Sequence, residues 1–142
     1  MTVVYAESSA VLGWLLGESR QAEVVSVLAG ASRVVTSALT PLECARGLAR
    51  ARQMDRISAA EELAALRLLD TAAASWNVMD LSDRVTERAR AEFPHEPVRT
   101  LDAVHLATAQ IFHDAVGPVA MLSHDARVRE NAAALGLQLA DK

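Results

Sequence analysis

Short β-prone runs recur along this chain, separated by stretches of helical periodicity, and that alternation is what most constrains its fold. Thr2 to Ala6 is rich in β-branched and aromatic residues and reads as a buried strand. Arg33 to Ser37, Trp76 to Met79, Val119 to Leu122 and Leu137 to Leu139 read the same way. Between the first two lie a helix capped by Ser8 or Ser9, with an apolar stripe of Val11, Leu12, Leu15 and Leu16 ended by Gly17, and a second helix over about Arg20 to Leu28. Thr40 is placed to cap a helix that starts at Pro41 and runs to about Gln53, and Ser58 opens another carrying Leu63, Leu66 and Leu69. Ser82 caps a helix reaching about Glu92, and Thr100 caps one with Leu101, Val104, Ala107, Thr108 and Ile111 on its apolar face. Ala126 to Leu135 forms the last helix, closed by Gly136. Phe93 to Arg99, with Pro94 and Pro97, is the clearest loop. Strands alternating with helices predict an α/β fold with a mostly parallel sheet of about five strands and helices on both faces. Right-handed crossovers bring the strand ends to one edge of such a sheet, which is where ligands bind.

A chain of 142 residues, 51% hydrophobic and 23% charged, is one globular domain, residues 1–142. No apolar run approaches the roughly 18–20 residues that span a bilayer. The N-terminus has no basic segment followed by a cleavable apolar stretch, so no membrane association and a cytoplasmic location are expected. A single cysteine, Cys44, excludes an internal disulfide framework and reads as a small core residue. Net charge of −4 does not advertise nucleic-acid binding, although a bound cation would alter the local field.

Four acids fall where that sheet edge should be. Glu7 follows the first strand and Asp125 the fourth, while Glu43 and Asp102 each lie in the first turn of a helix after a loop. Gathered carboxylates repel one another unless a cation sits among them, and hard oxygen donors select Mg²⁺ or Mn²⁺. Such ions assist in-line displacement at a phosphodiester. Each acid also has a plainer reading. Glu43 completes a capping box with Thr40, Asp102 and Asp125 suit the positive end of a helix dipole, and Glu7 is a solvated loop charge. Spacing does not choose between the two.

The residues around the acids do carry a resemblance. Val4–Ala10, Ser37–Glu43, Thr100–Ala109 (Thr-Leu-Asp-Ala-Val-His-Leu-Ala-Thr-Ala) and Leu122–Val128, in that order, resemble the PIN-domain ribonucleases, and among them the VapC-type toxins of toxin–antitoxin modules. The likeness covers essentially the whole chain, and the third motif is its most specific part. It implies a PIN-like three-layer α/β/α domain and a Mg²⁺- or Mn²⁺-dependent endoribonuclease acting on RNA. It also implies a homodimer and a cognate VapB-type antitoxin whose tail covers the acidic groove. By position, the family's catalytic and metal-holding acids fall on Glu7, Glu43, Asp102 and Asp125, and its supporting hydroxyls on Ser8 or Ser9 and on Ser123. The family usually carries Asp after the first strand, where this chain has Glu7. The extra methylene moves the carboxylate by about one bond length, and Mg²⁺ tolerates misplaced ligands poorly.

Other residues invite weaker assignments. Arg46 and Arg50, one turn apart on the helix of Glu43, and Arg99 and Arg127, each near an acid, are candidates to meet RNA phosphates or else solvated surface arginines. His124, beside Asp125, is a candidate for substrate contact. His105 is one turn beyond Asp102 and reads as packing or a hydrogen-bond donor on the helix flank, with a general-base role the alternative. His95 and His113 make no zinc spacing with them. Trp14 and Phe93 are each able to stack on a base, but 4% aromatics make no stacking platform and base-specific readout is not expected; Trp14 with Val24, Val25 and Leu28 forms either core or a partner surface. The competing functional readings are a weakened or inactive PIN-fold module that binds antitoxin or RNA, and a phosphohydrolase, for which no Gly-rich phosphate cradle appears.

Overall fold

A five-stranded parallel sheet, ordered β3-β2-β1-β4-β5, organises the computed structural model, which describes residues 2–141. Its strands are β1 (Val3–Ala6), β2 (Arg33–Ser37), β3 (Asn77–Met79), β4 (Val119–Leu122) and β5 (Gln138–Leu139). The helices are α1 (Ser8–Leu15), α2 (Gln21–Gly30), α3 (Leu39–Gln53), α4 (Ala59–Ala73), α5 (Asp83–Arg90), α6 (Thr100–Val116) and α7 (Ala126–Ala134). β1 is central, with Val4 paired to Val34 on one side and to Ala120 on the other. Side chains alternate across it as the two-residue strand period requires. Val4 and Ala6 pack under α1 to α4 with Val11, Val24, Cys44 and Leu69. Tyr5 points the opposite way and packs with Leu106 of α6 and Val128 and Ala132 of α7. The three-layer α/β/α expectation holds.

Sheet order locates the functional edge. From β1 the chain steps outward through β2 to β3, then returns past β1 to place β4 and β5 on its other flank. The path reverses between β1 and β4, and the carboxyl ends of two such strands flank the crevice where ligands bind in open parallel sheets. Glu7 leaves β1 at that crevice, and Ser123 to Asp125 leave β4 beside it. The Glu7 N–H donates to the Leu122 carbonyl at 3.0 Å, which extends the pairing one residue past the strands.

Several predicted helix starts are corrected. α3 begins at Leu39 with Ala38 as its cap residue, so Thr40 does not cap it and Glu43 makes no capping box. Thr40 is buried instead: the Thr36 hydroxyl lies 2.7 Å from its hydroxyl and 2.6 Å from the Ala6 carbonyl, tying α3 beneath the end of β1. Pro41 is still tolerated, since a first-turn N–H has no intrahelical acceptor. At α6 the cap residue is Arg99, without a side-chain hydrogen bond, and Thr100 is already helical. α1 is capped by Glu7 rather than by a serine; the Ser9 N–H donates to the Glu7 carboxylate at 2.9 Å. An anionic acceptor at a helix N-terminus is favoured over a neutral hydroxyl. The Ser58 and Ser82 caps form as predicted, Ser58 within a capping box with Glu61. Gly17 and Gly136, at φ of +68° and +90°, follow α1 and α7 in the left-handed region that ends helices.

Phe93 and Trp14 are not free aromatics. Phe93 is buried in the core on the α6 and α7 side, with the Arg88 guanidinium 4.2 Å from its ring centre. Trp14 and Leu28 pack against the opposite core, Val24 is fully buried there, and only Val25 of that group is exposed. Core, not a partner surface, is the role of that group. Cys44 is buried too, and burial, with Glu43 and Glu7 nearby, pushes its thiol up to about 12, which keeps it an inert core residue. Among the described residues, no helix is long and apolar enough to cross a membrane.

Candidate active site

The crevice between β1 and β4 opens into a cleft of about 270 Å³ lined by Pro97, Val98, Arg99, Asp102, Asp125 and Arg127. Its rim is the loop that the prolines marked, and two side chains unnoticed in the sequence hold that loop in place. The Glu96 carboxylate accepts from the N–H groups of Phe93 (2.9 Å) and Val98 (2.6 Å). Buried Asn131 of α7 accepts from the His95 N–H at 2.8 Å and donates back to the His95 carbonyl at 3.1 Å. Arg127 closes the clasp by donating to the His95 carbonyl at 3.2 Å. The loop is thereby fastened to α7, and its Arg99 flanks the cleft beside Asp102.

Glu7, at the end of β1, is 3% exposed and does not itself line the cleft. One carboxylate oxygen accepts from the hydroxyls of Ser9 (2.6 Å) and Ser123 (2.5 Å); the other accepts from the Ser8 hydroxyl (2.7 Å) and the Ser9 N–H (2.9 Å). Burial pushes this carboxyl up, but attraction to His105 and the three hydroxyls outweigh it and hold it below the usual carboxylate range. Four donors occupy the lone pairs of two oxygens. Glu7, expected among the metal-holding acids, is therefore engaged by the protein on both oxygens.

Asp125 caps α7, accepting from the N–H groups of Arg127 (2.9 Å) and Val128 (3.1 Å) through a single oxygen, Oδ1. Its own N–H donates to the Ser123 hydroxyl at 3.0 Å, so Ser123 joins the Glu7 cage to the Asp125 turn. Arg129 steadies the same turn by donating to the Ser123 carbonyl at 3.0 Å. Asp102 projects from the first turn of α6 and is half-buried. Burial, then the like charges of Asp125 and Glu7, raise its carboxyl above the ordinary value. Glu43 of α3 turns one oxygen to the His105 ring, with Nε2 and Oε1 2.5 Å apart.

His105 has the packing and hydrogen-bonding role expected of it, in the core rather than at the surface. It is fully buried, and both ring nitrogens have partners, Nδ1 lying 2.7 Å from the Tyr5 hydroxyl. His124 stands apart from the cleft. Its ring lies so close to Gly13 that a Cβ there would meet Nδ1 at 3.3 Å, and it lines a separate depression with Arg20 and Arg129. Arg46 and Arg50 are exposed on α3 and do not line the cleft.

Among the described residues, no three His, Cys, Asp or Glu side chains are gathered closely enough to hold a metal ion by themselves. The arrangement nevertheless fits an ion that keeps much of its water. Mg²⁺ is commonly held by one or two carboxylates plus substrate phosphates. Asp102 and Asp125 supply two hard oxygen donors at one cleft, and their mutual repulsion is what a cation would relieve.

Comparison with known proteins gives the family of the chain. Residues 4–134 match the family model described as PIN domain. Ribonuclease VapC35 of Mycobacterium tuberculosis is 34% identical over 105 residues, covering 74% of this chain and 70% of that protein. Ribonuclease VapC46 of the same organism is 31% identical over 137 residues, 96% of this chain and 95% of its own. Among solved structures, PAE2754 from Pyrobaculum aerophilum superposes with a TM-score of 0.58 at 15% identity, covering 92% of this chain and 79% of its own. A toxin–antitoxin complex from Klebsiella pneumoniae gives 0.59 at 17% identity, covering 92% and 90%.

Proposed function

Since this chain belongs to the PIN-domain family, as a VapC-type member, we propose that it is a Mg²⁺- or Mn²⁺-dependent endoribonuclease and the toxin of a type II toxin–antitoxin pair. One observation carries the reading: Asp102 and Asp125 face a common cleft at the point where the strand order reverses, close enough that their charges oppose ionisation of Asp102. A bound divalent cation there would neutralise phosphodiester charge and make a nearby water more acidic. Asp102 and Asp125 would hold it. Glu7 fixes the end of β1 through its serine cage, and Ser123 carries that order to Asp125. Glu43, with one oxygen on His105 and the other free, is the carboxylate available to accept a proton from an attacking water. Arg99 and Arg127 receive the RNA backbone at the rim.

The partners follow from the same family membership. A VapB-type antitoxin would cover this cleft, the protein would work in the cytoplasm, and two copies would form a homodimer. Metal removal is the direct test. Purified protein should cut single-stranded RNA with Mg²⁺ or Mn²⁺, stop cutting in excess EDTA, and resume when Mn²⁺ is restored. Unchanged cleavage in EDTA would sink the metal-dependent reading. The arginines give a second expectation. Arg99→Ala with Arg127→Ala should raise KM by on the order of tenfold with kcat largely retained, and should flatten the dependence of log KM on log salt by about 1.4. A KM and salt slope equal to wild type would remove these residues from the RNA path.

A further inference from the structure

His105 lies at the centre of a buried hydrogen-bonded chain that the acids alone do not require. Tyr5 stands on the central strand and is fully buried; His105 stands on α6; Glu43 stands on α3, its side chain a quarter exposed. The Tyr5 hydroxyl is 2.7 Å from Nδ1 and the Glu43 oxygen 2.5 Å from Nε2, while the Ser8 hydroxyl, which donates to Glu7, is 3.5 Å from the same Nε2. A carboxylate only accepts hydrogen bonds, so Nε2 carries the proton toward Glu43. Nδ1 faces the Tyr5 hydroxyl, a group able to donate or accept there. The rings meet edge-on, with centres 5.9 Å apart at 77°. Tyr5, both ring nitrogens of His105 and one Glu43 oxygen are thus joined in one chain. An apolar side chain would fill this space without needing partners on both sides.

We propose that His105 is a positioning residue that fixes the Glu43 carboxylate against α6, with Tyr5 fixing the His105 ring in turn. The role rests on the nuclease reading above. Glu43 has three side-chain torsions and stands at a solvent-facing edge, so without an anchor it would divide its time among rotamers. The Tyr5–His105 pair transmits the rigidity of the sheet to it. His105 itself touches no substrate.

A double-mutant cycle tests this. His105→Phe fills the space and removes the donor; His105→Gln keeps an N–H near the position of Nε2. His105→Phe should lower kcat by about tenfold or more, the scale for residues that orient a catalytic group, with KM nearly unchanged. Glu43→Gln should also lower kcat, and adding His105→Phe to it should cost little more. His105→Gln should recover much of the loss. In the metal-free wild type, proton NMR should show a low-field, slowly exchanging imidazole N–H that shifts in Glu43→Gln. Losses that multiply in the double variant, a His105→Gln no better than His105→Phe, or an N–H signal indifferent to Glu43→Gln would each overturn the proposal. If His105→Phe does not fold, His105→Gln and the NMR signal decide. Should wild-type protein not cut RNA, the nuclease reading fails, and the NMR arm still reports whether His105 holds Glu43.

Discussion

Asp102→Asn should abolish RNA cleavage, by on the order of a thousandfold, and at the same time make the fold more stable at neutral pH. The two effects have one cause. Burial and the like charges of Asp125 and Glu7 raise the Asp102 carboxyl, so ionised Asp102 destabilises the folded protein. The sign is fixed by linkage. For an acid whose folded value lies above its unfolded one, the stabilising contribution is present at low pH and lost as pH rises through the folded value. At neutral pH the wild type therefore carries the full cost, while an amide of the same shape does not. Catalytic sites commonly hold such destabilised groups. Thermal unfolding by circular dichroism at pH 7 should give a higher Tm for Asp102→Asn, and the difference should shrink as pH falls through the raised range. Mg²⁺ or Mn²⁺ should raise the wild-type Tm by binding the folded state, and should do so much less in the variant. Cleavage at the wild-type rate in Asp102→Asn would falsify the proposed site. A variant both inactive and unfolded would contradict the electrostatic account.

Glu7 should behave in the opposite sense. Its carboxyl is held low, so its contribution to stability is fully present above the ordinary Glu range and is lost as pH falls through the depressed folded value. Glu7→Leu would leave the Ser9 N–H and the hydroxyls of Ser8, Ser9 and Ser123 without their acceptor in a site only 3% exposed. Stranding several buried donors costs about 3 kcal/mol after the hydroxyls find what alternatives they can, which for a domain of this size lowers Tm by roughly 10 °C. Chemical denaturation at pH 7 reads the first figure and a melt the second. A loss below about 1 kcal/mol would show that the cage does not support the fold. Glu7→Asp separates the catalytic readings. The shorter side chain cannot keep all four donors, so a loss of both stability and cleavage is expected if the serine cage is what organises the cleft. A gain in metal-dependent cleavage from nothing to measurable would instead favour a natural protein already weakened by its glutamate.

The fold was legible because its signals are local. Arg33–Ser37 and Val119–Leu122 are β-branched or apolar runs bounded by turn or capping residues, and both strands have the expected limits. Helix starts were harder wherever tertiary packing overrode capping chemistry. Thr40 has the right side chain for a cap, yet it lies beneath the end of β1, where its hydroxyl answers Thr36. Glu43, released from the capping box, turns to His105. Those partners are 62 residues apart in sequence, and His105 and Tyr5 are 100 apart. No spacing rule reports a contact of that kind. The burial of Phe93 has the same kind of cause: Glu96 and Asn131 fold the proline-containing loop back onto the core. The four acids were found by position, but their division of labour was not. Two line the cleft, one is enclosed by serines and one is held by a histidine.

The enclosure of Glu7 also bears on how such proteins diverge. Its donors come from two segments more than a hundred residues apart, Ser8 and Ser9 after the first strand and Ser123 after the fourth. A glutamate fits because these hydroxyls stand where the longer side chain reaches. A change at any one of them alters what is tolerable at the others. Chimeras between this chain and a relative with aspartate after the first strand would have to exchange segments 4–10 and 122–128 together.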